Sequence, residues 1–123
     1  MKNFFHFFIN FIFCIFSFGK IQVVATLPNY SFIAQEIGKE KVEAKAIVLP
    51  DQDPHYVRAK PSFALMLQKA DLFITTGLDL ELWVPSLLDK ASNKKILEGE
   101  KGYCIVSEGV PLEEVPKAIT RAA

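Results

Sequence analysis

Residues 42–56 read VEAKAIVLPDQDPHY, in which a strand-like segment runs directly into an acidic turn braced by two prolines. The first part, residues 42–48, predicts a buried strand. The turn that follows carries His55, the only histidine outside the N-terminal apolar segment. If the strand is parallel to its neighbours, this turn lies at the carboxyl end of the sheet, where open α/β folds place their ligand sites.

Three further segments predict strands, and three segments between them predict helices. The strands are expected over residues 21–26, 72–76 and 103–107, of which the last has the weakest pattern. Gly38 ends the first helix, Pro61 opens the second, and the third begins near Leu82 with Pro85 in its first turn. The apolar faces of the helices, at helical spacing, are Tyr30, Ile33, Ala34 and Ile37; Phe63, Met66, Leu67 and Ala70; and Leu80, Trp83, Val84, Leu87, Leu88 and Ala91.

This alternating order predicts an α/β fold, with a parallel sheet flanked by helices and joined by right-handed crossovers. The tail, residues 109–123, offers no further strand. A four-stranded piece of this size is expected to leave one face or edge of its sheet uncovered.

The first 19 residues have the pattern of a secretory signal. Lys2 supplies a positive start, residues 4–18 form an apolar run, and Ser17 and Gly19 are small residues near a cleavage site. The run is short for a bilayer crossing, so we expect cleavage near Gly19 and a periplasmic or secreted protein without a membrane span; the alternative is an uncleaved anchor. Cys14 lacks the small preceding residues of a lipoprotein cysteine, and lipidation is not expected.

Residues 20–123 suffice for one modest core, which we interpret as a single N-terminal lobe. The whole chain has 14 basic and 14 acidic side chains, and their dispersed arrangement argues against a nucleic-acid-binding surface. Cys104 is the only cysteine after the signal, so no internal disulfide is expected. Its place in a predicted strand indicates a small buried residue.

His55 is the candidate metal ligand. Pro50 and Pro54 restrict the backbone of the turn, and a neutral imidazole held there is a good ligand for a transition metal. The alternative is a histidine that caps the next helix or binds a loop carbonyl. Asp51 and Asp53 are either further ligands or, as turn residues, acceptors for backbone N–H groups.

Other polar residues of the predicted site edge have simpler interpretations. Asp79 and Glu81 are expected to cap the third helix; the alternatives are a hydrogen bond that closes the lobe and a role near the metal. Trp83 is expected in the core. Tyr30 either lines the mouth of a cleft or packs against its own helix. The chain lacks a nucleophile paired with a base, a glycine-rich phosphate loop and a second histidine near the site, so an enzyme is not expected.

Several short motifs occur in a characteristic order. They are Val23-Val24-Ala25-Thr26, Ile37-Gly38, Asp53-Pro54-His55, Lys60-Pro61-Ser62, Ala70-Asp71-Leu72 and Gly77-Leu78-Asp79-Leu80-Glu81. With these motifs, residues 20–115 resemble the metal-binding solute-binding proteins of zinc and manganese ABC importers.

The resemblance implies two α/β lobes joined by a long helix, with one metal ion in the cleft between them. His55 occupies the position of the family's first ligand, and the other ligands come from later in the chain. Residues 20–123 would then be an incomplete first lobe without the linking helix and the second lobe. Such a lobe would take part in capturing Zn²⁺ or Mn²⁺ for a membrane permease, and alone it would bind metal weakly. Where the family often has an acidic or polar residue after the histidine turn, this chain has Val57 and Arg58.

Two other functions are consistent with the sequence. One is an exported adhesion or interaction module that keeps the lobe without transport. The other is a small hydrolase that uses Asp51 or Asp53, which no further feature of the chain favours.

Overall fold

The computed structural model describes residues 19–113. The predicted signal segment, Cys14 and the end of the tail lie outside these residues, so the expectations about them stay predictions. Among the described residues, the helices are too short or too polar to cross a bilayer.

All seven predicted elements are present, with small differences at their ends. The strands are β1 (Ile21–Ala25), β2 (Val42–Ala46), β3 (Leu72–Thr75) and β4 (Tyr103–Ile105), and the helices are α1 (Pro28–Gly38), α2 (Pro61–Gln68) and α3 (Val84–Ala91). Two 3-10 turns, Lys39–Lys41 and Lys94–Ile96, were not predicted. The third helix begins at Val84 rather than near Leu82, and Pro85 lies in its first turn as expected.

The four strands form one parallel sheet in the order β2-β1-β3-β4. Val23 of β1 is in register with Ala44 of β2 on one side and Leu72 of β3 on the other. The predicted α/β class with a parallel sheet is therefore confirmed. Because every strand runs the same way, the loops that follow β1, β2 and β3 leave the sheet at the same edge.

The core lies on the face of the sheet that α2 and α3 cover. Phe73 of β3 is fully buried there among side chains from both helices. The residues that complete this cluster are Val24, Ile47, Leu67, Ala70, Val84, Leu87, Leu88, Ala91 and Ile96. Their burial follows the strand alternation and the helical spacing predicted from the sequence.

The opposite face of the sheet is only partly covered, as expected for a four-stranded piece. Helix α1 has no fully buried residue, and its apolar stripe faces an open groove of about 450 Å³. Ile37 at the end of this stripe is 80% exposed. The lining is almost entirely apolar and includes Ile21, Val23, Ile33, Ile74 and Val106.

The predicted burial of Cys104 is wrong, because its side chain is exposed. Cys104 pairs in register with Ile74, which lines the open groove. Both residues therefore belong to the face that α2 and α3 leave free. A residue in a strand is buried only where the face it points to is covered.

Candidate metal-binding turn

The turn that bears His55 begins where β2 leaves the sheet. The N–H groups of Ile47 and Val48 still donate to the carbonyls of Ala25 and Thr26, both at 2.9 Å. The chain departs at the next residue, Leu49, which is exposed. The turn thus lies at the carboxyl edge of the parallel sheet, where the sequence placed it.

Within the turn, the backbone folds back on itself twice. Gln52 N donates to Leu49 O at 3.0 Å, and Tyr56 N donates to Asp53 O at 3.2 Å. The second of these bonds closes a tight turn around Pro54 and His55. The imidazole of His55 is consequently carried on a tight turn that is closed by its own backbone hydrogen bonds.

The ring of His55 is held by Asp53 on one side only. Asp53 Oδ1 accepts the backbone N–H of His55 at 2.9 Å and lies 2.8 Å from His55 Nδ1. The backbone N–H of His55, followed by its ring, holds the pKa of the Asp53 carboxyl below its usual range. A carboxylate oxygen only accepts hydrogen bonds, so in the neutral imidazole this contact places the ring proton on Nδ1 and the lone pair on Nε2.

Nε2 of His55 has no hydrogen-bond partner among residues 19–113. The side chain is 57% exposed, and the neighbouring Tyr56 is exposed as well. The ring does not cap the following helix, since Lys60 occupies the N-cap of α2 and no side chain bonds there. An exposed lone pair on a fixed ring is the geometry that a metal ligand requires.

The two acidic residues of the turn differ in what they do. Asp53 bonds a backbone N–H group, as turn aspartates do, and it also orients the imidazole. Asp51 makes no hydrogen bond with any described residue and is exposed. Arg58 is exposed too, and it forms no ion pair within the described chain.

Over residues 19–113, no group of three or more His, Cys, Asp or Glu side chains gathers in a way that could hold a metal ion. His55 with its companion Asp53 therefore stands apart from other potential ligands of this lobe. A structural zinc site has four ligands, and residues 19–113 do not bring together that many.

The predicted capping of α3 by Asp79 and Glu81 is wrong. Trp83 occupies the N-cap of α3 without a side-chain bond. Glu81 instead turns inward, is 5% exposed, and accepts hydrogen bonds from Thr26 Oγ1, Thr75 Oγ1 and Thr76 N at 2.6, 3.2 and 3.2 Å. Its carboxyl group joins the ends of β1 and β3.

The backbone before Glu81 explains this inward turn. Gly77, Leu78 and Asp79 have φ angles of +81°, +56° and +59°. Three successive residues with positive φ reverse the chain before α3 begins. Asp79 is left exposed on the outside of the loop.

Two aromatic side chains make polar contacts that the sequence did not reveal. Trp83 packs against the core, as predicted, but it is only half-buried and its Nε1–H donates to Pro54 O at 2.8 Å. Tyr30 lies with its hydroxyl 3.0 Å from Thr76 Oγ1, so it ties α1 to the end of β3. Helical spacing identified both rings, whereas the direction of their polar atoms depends on the packed fold.

The match to a protein family agrees with the motifs and the fold. The family model described as ZnuA, zinc-uptake complex component A periplasmic, matches residues 23–119 of this chain. The chain belongs to this family. The predicted resemblance to zinc and manganese solute-binding proteins is thereby confirmed.

Relatives in the ZnuA family carry names for either metal. The chain is 35% identical over 98 residues to the manganese ABC transporter substrate-binding lipoprotein scaA of Streptococcus gordonii, covering 76% of this chain and 30% of that protein. It is 30% identical over 79 residues to the zinc-binding lipoprotein AdcA of Streptococcus pneumoniae, covering 63% of this chain and 16% of that protein. The chain thus spans about a third or less of these relatives.

Solved structures show the same fold. The metal-dependent lipoprotein YcdH from Bacillus subtilis has a TM-score of 0.61 and 27% identity, covering 77% of this chain and 34% of that one. The Cd-bound periplasmic metal binding protein from candidatus liberibacter asiaticus has a TM-score of 0.58 and 26% identity, covering 76% and 33%. The ZnuA family resemblance therefore extends over most of the described lobe.

Proposed function

We propose that this chain is the first lobe of a solute-binding protein that captures Zn²⁺ or Mn²⁺ and delivers it to an ABC importer permease. His55 is the ligand that the lobe supplies, and the protein has no enzymatic role. The observation that carries the proposal is the free Nε2 of His55 on a braced turn at the carboxyl edge of the sheet. Membership of the ZnuA family and the names of the relatives support it.

The proposed chemistry is that of a neutral imidazole oriented by a carboxylate. Metal-bound histidines commonly donate their second ring N–H to a carboxylate, which fixes the ring and makes the ligating nitrogen more basic. Asp53 has this relation to His55. The cation approaches from the solvent side, where the ring is exposed.

A shell of several ligands is needed for tight binding, because most of the affinity comes from closing it. In the proposed protein, the remaining ligands lie outside residues 19–113, and the cleft forms between this lobe and another. The choice between zinc and manganese then follows from those ligands, since nitrogen favours zinc and additional oxygen ligands favour manganese. The proposed place of action is the periplasm or the exterior of the cell, reached through the N-terminal signal.

Nuclear magnetic resonance of the purified protein tests the ligand assignment directly. Paramagnetic Mn²⁺ should broaden the ring signals of His55 before those of other residues, and Zn²⁺ should shift them. His55→Ala should remove this response, whereas the neighbouring control Asp51→Asn should keep it. A metal response that is the same in wild type and His55→Ala would refute the assignment. Partner binding that a chelator leaves unchanged would then favour the interaction module.

A further inference from the structure

The turn that carries His55 is connected to the rest of the fold by few contacts. Over residues 19–113, the hydrogen bonds of residues 49–59 are internal to the turn with one exception. The exception is the bond from Trp83 Nε1 to Pro54 O at 2.8 Å. Trp83 belongs to the third βα unit, 29 residues further along the chain.

We propose that Trp83 is the positioning residue for His55, an inference that rests on the metal-binding role proposed above. The carbonyl of Pro54 and the N–H of His55 belong to one planar peptide unit. Trp83 holds the oxygen of this unit, and Asp53 Oδ1 holds its N–H at 2.9 Å. Because both ends of the peptide unit are held, its plane cannot rotate. The bond from Cα to the side chain of His55 therefore keeps one direction.

The support behind the indole is rigid. Trp83 packs against the core cluster and directly precedes Val84, which is 4% exposed. Glu81, two residues before Trp83, is held by the three hydrogen bonds at the ends of β1 and β3. The position of the indole N–H is thus determined by the central strands.

A second anchor lies on the other side of the histidine. The side chain of Val57 packs against the core cluster. His55 and Tyr56 are therefore the exposed residues between a hydrogen-bonded anchor at Pro54 and an apolar anchor at Val57. The apolar anchor at Val57 restricts how far the turn can move from the core. The hydrogen bond of Trp83 also fixes the orientation of the His55 peptide unit, and a metal ligand needs a fixed orientation.

Trp83→Phe removes the N–H donor and keeps an aromatic ring against the core. The loss of one such hydrogen bond corresponds to about a fivefold change in an equilibrium constant. We therefore expect amide hydrogen exchange at His55 to become about fivefold faster, and Zn²⁺ affinity to fall by a similar factor. The amide of Phe73, which is buried in the sheet, should exchange as in wild type. Ile96→Val, a core change in a segment without a hydrogen bond to the turn, should alter neither the His55 amide nor the metal affinity.

The outcomes separate this inference from the proposed function. Unchanged His55 exchange and unchanged Zn²⁺ affinity in Trp83→Phe would overturn the positioning role, provided that His55→Ala abolishes binding. If His55→Ala leaves the metal response intact, the ligand assignment fails, and exchange at His55 still decides whether Trp83 holds the turn. If Trp83→Phe does not fold, hydrogen exchange of the Trp83 indole N–H in the wild-type protein tests the positioning role instead. An indole N–H protected from exchange supports the inference, and one that exchanges like free tryptophan refutes it.

Discussion

Thr26 Oγ1 donates a hydrogen bond of 2.6 Å to Glu81 Oε1, which joins the end of β1 to the loop before α3. The same carboxyl group accepts hydrogen bonds from Thr75 and Thr76 at the end of β3. One buried side chain thus holds the carboxyl ends of the two central strands together. Two residues after Glu81, Trp83 Nε1 donates a hydrogen bond to Pro54 O in the turn of His55.

Glu81→Ala should lower the free energy of unfolding by about 3 kcal/mol, because it leaves buried donors without an acceptor. Urea unfolding followed by circular dichroism measures the change. Asp79→Asn, two residues away on the exposed side of the loop, keeps a side chain that tolerates the left-handed backbone and should stay within about 0.5 kcal/mol of wild type. Equal effects of the two substitutions would contradict the buried role of Glu81.

Leu78→Gly should leave stability unchanged or raise it by up to about 1 kcal/mol, because Leu78 has a left-handed backbone that glycine adopts without strain. The side chain is 61% exposed, so little packing is lost. The same substitution at Leu65, an equally exposed position inside α2, should destabilise by about 1 kcal/mol. Thermal unfolding of the two variants tests this difference in sign. A destabilised Leu78→Gly would show that the leucine makes contacts of its own.

Asp71 should stabilise the fold in a pH-dependent way. The backbone N–H of Gln22, followed by Lys95, holds the pKa of the Asp71 carboxyl below its usual range in the folded protein. Its contribution is therefore complete above the ordinary carboxyl pKa and is lost as the pH falls through the lower folded-state value. The group is partly exposed, so Asp71→Asn should cost less than about 1 kcal/mol at neutral pH.

Urea unfolding of Asp71→Asn and wild type at several pH values tests this expectation. The difference in the free energy of unfolding between wild type and Asp71→Asn should be largest at neutral pH and should disappear in acid. Asp51→Asn, which removes an exposed carboxylate without a hydrogen bond to described residues, serves as the control and should show no such trend. A difference that grows in acid would contradict the assigned direction.

Cys104 should react with a thiol reagent in the folded protein, since its side chain is exposed on β4. The expected rate in buffer is within about tenfold of the rate in denaturant. Cys104→Ser identifies the signal, because any reaction that remains must come from another residue. A thiol that reacts only after unfolding would restore the interpretation that the sequence suggested.

The elements of the fold were predictable because local patterns specify them. The strand before the His55 turn, the helix opened by Pro61 and the alternation of strands and helices all follow from spacing and from proline and glycine positions. Their mutual arrangement then followed from the rule that such alternation gives a parallel sheet. Residues of the core cluster, such as Leu67 and Leu87, were accordingly identified.

The contacts around the candidate site were less predictable, because they depend on tertiary structure. Glu81 has the sequence context of a helix cap, yet the left-handed residues before it turn its carboxyl group toward Thr26. Trp83 has the spacing of a core residue, and only the folded loop brings its N–H to Pro54. The burial of Cys104 was predicted wrongly because the number of helices does not determine which face of the sheet they leave uncovered.

The central position of β1 has a consequence for how this chain is made. β1 emerges first from the ribosome, but one of its two partners, β3, ends only at Thr75. Such distant pairings slow the search for the native state. Nascent chains that stop before residue 72 should therefore remain unfolded.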